Sequence, residues 1–169
     1  LADQTAEQVK KTIDLAIAGE VKHISVYALT PEVGTPIYTD YLNGELLSDD
    51  ETADIYDEVR KYLAEKGFHR YEVSNFALPG YESKHNLNYW KRGEYIGLGV
   101  SASSFIDGRR FTNSFSIDEY CNAIIYNKNP EISSDVIEGE DACFEYIMLG
   151  LRTEKGIDVE KFNKEFGCD

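Results

Sequence analysis

The sequence Ile-Ser-Val-Tyr-Ala-Leu at residues 24–29 decides the predicted fold, because it is short, mostly apolar and rich in residues that favour β-structure. Pro31, Gly34 and Pro36 interrupt the chain directly afterwards, as expected after a strand buried on both faces of a sheet. Residues 70–76 predict a second strand. A strand, a helix and a strand in this order form a right-handed crossover in nearly all known cases, so we expect two parallel neighbouring strands.

Helices are predicted on either side of the first strand. The two capping boxes are formed by Thr5 with Gln8 and by Ser48 with Glu51. The apolar stripes that follow them are Val9, Ile13, Ala16 and Ile17, and Ile55, Val59, Tyr62 and Leu63. These patterns predict helices over residues 5–18 and 48–66. Gly19 is expected to end the first in a left-handed conformation, and Gly67 is expected to end the second.

The second half of the sequence has a different pattern. Residues 77–94 are polar and aromatic without a period, and we expect a functional loop there. Asp107-Gly108 lies between two β-prone segments and predicts a type I′ hairpin. A third capping box, Ser116 with Glu119, and later apolar spacings predict only helices afterwards. The fold class is therefore α/β with a β-hairpin, followed by a helical C-terminal region, and the predicted domains are residues 1–127 and residues 128–169.

Composition excludes several classes of function. The chain has 169 residues, with Lys+Arg 17 and Asp+Glu 31, and this net charge of −14 argues against nucleic acid as a partner. No apolar run is long enough to predict a transmembrane segment. Three widely spaced cysteines, Cys121, Cys143 and Cys168, suit the reducing cytoplasm better than a disulfide framework or a metal site. The chain begins at Leu1 without a signal-like segment, which predicts an excised piece of a cytoplasmic protein.

Residues 84–92 carry only positive charges in an otherwise acidic chain, and they also contain several aromatic side chains. The set of interest is Lys84, His85, Asn86, Tyr89, Trp90, Lys91 and Arg92. A neutral imidazole ligates iron, aromatic rings stack on flat apolar ligands, and cations pair with carboxylates, so this set suits a porphyrin bearing propionates. The alternative is purely structural: Tyr89 and Trp90 pack against the fold while His85 bonds a backbone carbonyl.

Other candidate features favour structural roles. Residues 97–102, Gly-Leu-Gly-Val-Ser-Ala, match a dinucleotide-binding fingerprint, but a hairpin rather than a helix is predicted next. The glycines therefore indicate a bulge or a close approach of the backbone to a ligand. His23 and His69 precede predicted strands and are interpreted as structural. An acidic run is interpreted as a solvated linker and helix start, rather than a metal site: Glu131, Asp135, Glu138, Glu140, Asp141 and Glu145.

Six stretches match the motifs of one family, in the same order. They are L-A-D-Q-T at residues 1–5, H-I-S-V-Y-A-L with E-V-G-T-P at 23–36, Y-E-V-S-N-F-A-L-P-G-Y at 71–81, H-N-L-N-Y-W at 85–90, Y-I-G-L-G at 95–99 and L-G-L-R at 149–152. Together they resemble the radical S-adenosylmethionine (SAM) proteins related to oxygen-independent coproporphyrinogen III oxidase. The H-N-x-x-Y-W element resembles a proposed haem-binding signature of the haem-chaperone branch, HemW.

This resemblance implies part of a partial (β/α) barrel that binds SAM and a [4Fe-4S] cluster in the full-length protein. The residues that it places beside SAM are Gln4, Ala77 and Ser103. Those that it places in a haem site are His85, Asn86, Tyr89 and Trp90, with His85 as the possible iron ligand. The family's C-x-x-x-C-x-x-C cluster motif is absent from this sequence, so the chain alone is not expected to hold a cluster or to be active.

The resemblance implies a haem chaperone, which binds haem or another porphyrin and delivers haem to an acceptor protein. The alternative is oxidative decarboxylation of propionates by the oxidase, an oxidoreductase of porphyrin biosynthesis. The oxidase branch has an arginine where this sequence has Ala16, which disfavours oxidase chemistry. A third interpretation is an interaction module, based on the acidic helical C-terminus. No catalytic residue is assigned under any of the three.

Overall fold

The computed structural model describes residues 4–167, which form two compact units divided between Ser83 and Lys84. The first three residues of the L-A-D-Q-T motif and Cys168 lie outside the described residues. The elements of the first unit are α1 (Ala6–Ala18), β1 (His23–Ser25), α2 (Pro36–Leu42), α3 (Asp49–Glu65), β2 (His69–Arg70) and β3 (Asn75–Ala77).

The core of the first unit lies where α1 and α3 pack against β3. Its buried members are Ile13, Val59, Leu63, Phe68 and Phe76. The predicted apolar stripes supply Ile13 from α1 and both Val59 and Leu63 from α3, which confirms them. Both predicted capping boxes are also present, at Thr5 and Ser48.

Two details of these helices differ from the prediction. Gly67 follows α3, as predicted, and has φ 88°, but Gly19 has φ −82° and does not adopt the predicted left-handed conformation. The left-handed residue after α1 is Glu20, with φ 59°. The helix α2 was not predicted, although Pro36 at its first turn is typical of a helix start.

The predicted parallel pair of strands is wrong. β1 and β3 are antiparallel, with His23 opposite Ala77, and the sheet order is β1-β3-β2. The chain reverses inside the predicted second strand, where the Tyr71 N–H donates to the Asn75 carbonyl at 3.1 Å and the Ser74 N–H donates to Glu72 at 3.3 Å. This reversal separates β2 from β3 and turns β3 antiparallel to both neighbours.

The first predicted strand is also shorter and less buried than expected. β1 ends at Ser25, and its three residues are half-buried or exposed. Tyr27 and Leu29, which were expected inside the sheet, are 70% and 41% exposed.

The second unit contains a three-stranded antiparallel sheet and four helices within its described residues. Its elements are α4 (Lys84–Trp90), β4 (Ser103–Ile106), β5 (Arg109–Asn113), α5 (Ile117–Ile125), β6 (Glu131–Val136), α6 (Gly139–Gly150) and α7 (Val159–Phe166). Asp107 and Gly108 have φ 50° and 72°, which confirms the predicted type I′ hairpin between β4 and β5. Ser116 caps α5 by accepting a hydrogen bond from the Glu119 N–H. The predicted capping box is not complete, because the Ser116 N–H donates to the Ser114 hydroxyl and the Glu119 carboxylate accepts from that same hydroxyl.

Two elements of this unit were not predicted. Residues 84–90 form the helix α4 inside the expected loop, and β6 forms in a region expected to contain only helices. Five of the six residues of β6 are exposed, so the strand carries no apolar alternation that a sequence pattern could detect. The domain limit between residues 127 and 128 stays a prediction.

Candidate functional site

His85 and Tyr89 lie one turn apart on the same face of α4, and both side chains are exposed. Their rings meet edge to face, with centroids 4.6 Å apart and planes at 78°. Within residues 4–167, His85 makes no hydrogen bond to a backbone carbonyl or to any other group. The imidazole nitrogens are therefore open to a ligand, and the carbonyl bond that the structural alternative expects of His85 is not formed among the described residues.

Two further ring contacts extend from Tyr89 into the unit. Tyr89 and Tyr95 meet edge to face at 4.7 Å, and Tyr95 lies 6.4 Å from Phe105, which is 3% exposed. We call His85, Tyr89, Tyr95 and Phe105 the aromatic row. The row connects the exposed imidazole to the buried side of β4.

Asn86 and Trp90 lie on the adjacent face of α4, about 100° around the helix from His85 and Tyr89. Both are half-buried. The Arg152 guanidinium lies 5.9 Å from the centroid of the Trp90 indole. The four residues predicted for a haem site therefore lie together on one helix, as two pairs on neighbouring faces.

A tight turn ends α4. The Gly93 N–H donates to the Asn88 carbonyl at 2.8 Å, and the Asn88 side-chain amide donates to the Glu94 carbonyl at 2.9 Å. Arg92, inside this turn, has φ 56°, a left-handed value that is uncommon for a residue other than glycine.

Arg92 turns inward, so it is not the surface cation that the sequence suggested. Its side chain is 13% exposed, and its Nε donates to Glu145 Oε2 at 3.4 Å while its Nη2 donates to the Ile137 carbonyl at 2.9 Å. Arg110 donates to the other carboxylate oxygen of Glu145. Burial opposes the charge of Arg110, but hydrogen bonds to Glu145 and Tyr95 outweigh it and raise the pKa of Arg110.

The interpretation of the acidic run as solvated is wrong for two of its members. Glu145 is 8% exposed and is one of the buried residues of α6. Glu131 pairs with Arg109 of the neighbouring strand β5. A buried carboxylate requires such partners, because an unpaired buried charge is strongly unfavourable.

The residues predicted to lie beside SAM are divided between the two units. Gln4 lines a cleft of about 800 Å³ in the first unit, together with side chains of α1, α3 and residues 26–31. Ala77 is 1% exposed in β3, opposite His23 and His69 of the two neighbouring strands. Ser103 is exposed in β4 of the second unit, with its Oγ 2.9 Å from Thr112 Oγ1. Their roles toward SAM stay predictions.

The glycine-rich segment at residues 97–102 leads into the strand β4, which confirms that it is not a dinucleotide-binding turn. A Cβ at Gly97 would lie 2.2 Å from the Ser103 carbonyl oxygen. Gly97 therefore permits a close approach of backbone to backbone. Gly99 has φ 106°, a conformation that side chains rarely adopt.

Several polar side chains of the first unit are hydrogen-bonded or buried beside its sheet, and the sequence did not predict most of these contacts. His23 Nε2 lies 2.8 Å from the Tyr71 hydroxyl, which confirms a structural role for His23. The Ser25 hydroxyl donates to Asn75 Oδ1, and Glu72 is 1% exposed. Tyr71, Glu72 and Asn75 belong to the Y-E-V-S-N motif, but no local pattern indicates that its polar side chains are buried.

The described residues do not fit an iron–sulfur cluster. Cys121 is exposed and Cys143 is half-buried, and within residues 4–167 no group of three or more histidine, cysteine, aspartate or glutamate side chains is arranged to hold a metal ion. Among the helices of the described part of the chain, none has the length and apolar character needed to cross a membrane.

Comparisons with known proteins agree with this architecture. Residues 137–169 match the family model of the HemN C-terminal domain. The chain is 37% identical over 99% of its length to "Heme chaperone HemW" of Lactococcus lactis, and 32% identical over 99% to that of Bacillus subtilis. It covers 44% and 45% of these two relatives.

A solved structure with the same fold is that of coproporphyrinogen III oxidase (HemN) from Escherichia coli, described as a radical SAM enzyme. It matches with a TM-score of 0.73 and 19% identity, over 99% of this chain and 42% of its own. The fold is thus that of the corresponding part of a radical SAM enzyme. With the sequence matches, the chain is similar to part of the HemW and HemN proteins, and it spans less than half the length of these relatives.

Proposed function

We propose that α4 is the haem-contacting helix of a haem chaperone, and that the full-length protein binds haem and delivers it to an acceptor protein. The observation that carries this proposal is the exposed His85 imidazole, which is open to a ligand and lies edge to face with Tyr89. The name of the HemW relatives supports the same function.

Five residues of α4, and Lys91 directly after it, have chemical roles in this proposal. Neutral imidazole is a common axial ligand of haem iron, so His85 supplies the iron bond. Tyr89 covers part of the porphyrin face. The exposed ammonium groups of Lys84 and Lys91 pair with propionates, and Asn86 and Trp90 complete the site from the adjacent helix face.

The family implies SAM and an iron–sulfur cluster in the full-length protein. Gln4, Ala77 and Ser103 are the residues of this chain that would lie beside SAM, and the cluster would supply the electron for its reductive cleavage. Within residues 4–167, no group of side chains is arranged to ligate that cluster. We also place the protein in the cytoplasm, where thiols such as Cys121 stay reduced.

The test is a haemin titration of the full-length protein, with the Soret band and the Kd as readouts. We expect His85→Ala to remove the sharp Soret shift and weaken binding at least tenfold, because an exposed ion pair contributes only about 1 kcal/mol or less. His69→Ala is the matched control, since His69 is also exposed. Equal spectra and affinities for the wild type and His85→Ala would reject the proposal.

The oxidase alternative has its own assay. Anaerobic incubation of the reconstituted full-length protein with coproporphyrinogen III and SAM should give no decarboxylated product if the chaperone proposal holds. Turnover of coproporphyrinogen III would instead support the oxidase function.

A further inference from the structure

Glu145 occupies an unusual environment for an acidic residue on a short helix. It is 8% exposed, and its two carboxylate oxygens accept hydrogen bonds from two different arginines, Arg92 and Arg110. A buried carboxylate held in this way is fixed in position, because moving it would leave a charge without its partners. Glu140, by contrast, is an exposed acid in the first turn of the same helix.

Arg92 connects Glu145 to the end of α4. Its N–H donates to the Tyr89 carbonyl at 3.0 Å, so Arg92 belongs to the turn that ends the helix. Its left-handed φ of 56° is a strained value for an arginine, and it is maintained by side-chain contacts with Glu145 and the Ile137 carbonyl. The side chain therefore determines where the last turn of α4 lies.

The aromatic row provides a second connection to the same carboxylate. The guanidinium carbons of Arg92 and Arg110 lie 5.0 Å and 5.1 Å from the centroid of the Phe105 ring. Phe105 is the buried end of the row that leads through Tyr95 and Tyr89 to His85. The backbone at the end of α4 and the rings beside His85 thus both contact arginines that Glu145 binds, Arg92 and Arg110.

We infer that Glu145 is a positioning residue for His85 and Tyr89, acting through Arg92 and the aromatic row. This inference rests on the proposed haem-binding function of α4. It assigns a role to the segment matching the HemN C-terminal domain, since α6 lies within residues 137–169. That segment orients the haem-contacting helix without touching the haem.

The test is a haemin titration of full-length Glu145→Gln, with Glu140→Gln as the matched control. Glutamine keeps the size of the side chain and removes its charge. We expect the Kd for haemin to rise about tenfold, as for other groups that orient a metal ligand, together with a changed Soret position. Glu140→Gln should leave both unchanged. A change of the same size in Glu140→Gln would overturn the inference.

A double-mutant cycle provides the decisive readout. If Glu145 acts through Arg92, then Arg92→Lys combined with Glu145→Gln should weaken haem binding no more than the stronger single variant. Additive losses would overturn the inference. If Glu145→Gln fails to fold, the haemin Kd of Arg92→Lys alone tests the inference. Lysine retains the positive charge but loses the planar guanidinium that donates to both Glu145 and the Ile137 carbonyl.

The outcomes also separate this inference from the proposed function. Loss of haem binding in His85→Ala with normal binding in Glu145→Gln rejects the positioning role alone. Equal binding by the wild type and His85→Ala rejects the proposed function. Hydrogen exchange of the α4 amides in Glu145→Gln then decides whether Glu145 positions the helix: faster exchange supports it, and unchanged exchange overturns it.

Discussion

Substitution of Gly97 by alanine tests the backbone packing that positions β4. The added Cβ would lie 2.2 Å from the Ser103 carbonyl oxygen and 2.8 Å from the Ser103 carbonyl carbon. These are backbone atoms, which cannot move away by changing a rotamer. To reach the 3.0 Å that real Cβ atoms keep, the two segments must separate by about 0.8 Å.

This separation also removes a hydrogen bond. The Gly97 N–H donates to the Ser104 hydroxyl at 2.9 Å, and Ser104 is 1% exposed. Overpacking typically costs about 1–3 kcal/mol and a lost hydrogen bond about 1 kcal/mol, so we expect Gly97→Ala to destabilise this region by about 2–4 kcal/mol.

Native-state hydrogen exchange of the β4 and β5 amides in the full-length protein measures this cost. A loss of 2 kcal/mol corresponds to exchange about thirtyfold faster. Gly19→Ala is the matched control, because Gly19 has φ −82° and its Cβ would lie 3.3 Å from the nearest atom, the Ala16 carbonyl oxygen. Gly97→Ala with unchanged exchange in β4 and β5 would refute the packing argument.

Two further predictions concern the first unit. Ser48→Ala should lower the free energy of unfolding by about 1 kcal/mol in urea melts, because it removes the cap of α3. Hydrogen bonds from the Ser48 backbone and side chain lower the pKa of Glu51 from 4.5. The stabilisation that they give is present above pH 4.5 and is lost as the pH falls through the lowered pKa. Ser48→Ala should therefore weaken the dependence of stability on acid pH. The Tyr62 hydroxyl, and then Lys66, lower the pKa of Asp14, so Tyr62→Phe should raise that pKa toward 3.8 in an NMR titration, and an unchanged pKa would contradict the assignment.

The helices of the first unit could be predicted because their determinants are local. The caps at Thr5 and Ser48 act within three residues, and the apolar stripe of α3 repeats within a single helix. The hairpin at Asp107 and Gly108 was predictable for the same reason, since both residues of the turn suit positive φ.

Strand direction and buried charge depend on contacts between distant residues, and they could not be predicted. The reversal between Tyr71 and Asn75 changes the direction of β3 without changing its β-prone composition. Glu145 lies 53 residues from Arg92, so no spacing rule links them, and the acidic composition around Glu145 indicated a solvated segment instead.

The candidate haem residues could be found because they are contiguous in the sequence. The H-N-L-N-Y-W stretch was identified by its residue types, and the structure places His85 and Tyr89 on one exposed face of α4. The helix itself was missed, because its seven residues, six polar or aromatic and one leucine, form too short a segment to show a helical period.

Coordination of haem iron by His85 is tested most directly by electron–nuclear double resonance of the ferric haem complex, with the full-length protein labelled with ¹⁵N at its histidines. A nitrogen bonded to the iron gives a strong ¹⁵N hyperfine coupling. We predict that the wild type shows this coupling, that His69→Ala retains it and that His85→Ala loses it. A haem complex whose ¹⁵N coupling persists unchanged in His85→Ala, or is missing from the wild type, would contradict the assignment of His85 as the iron ligand.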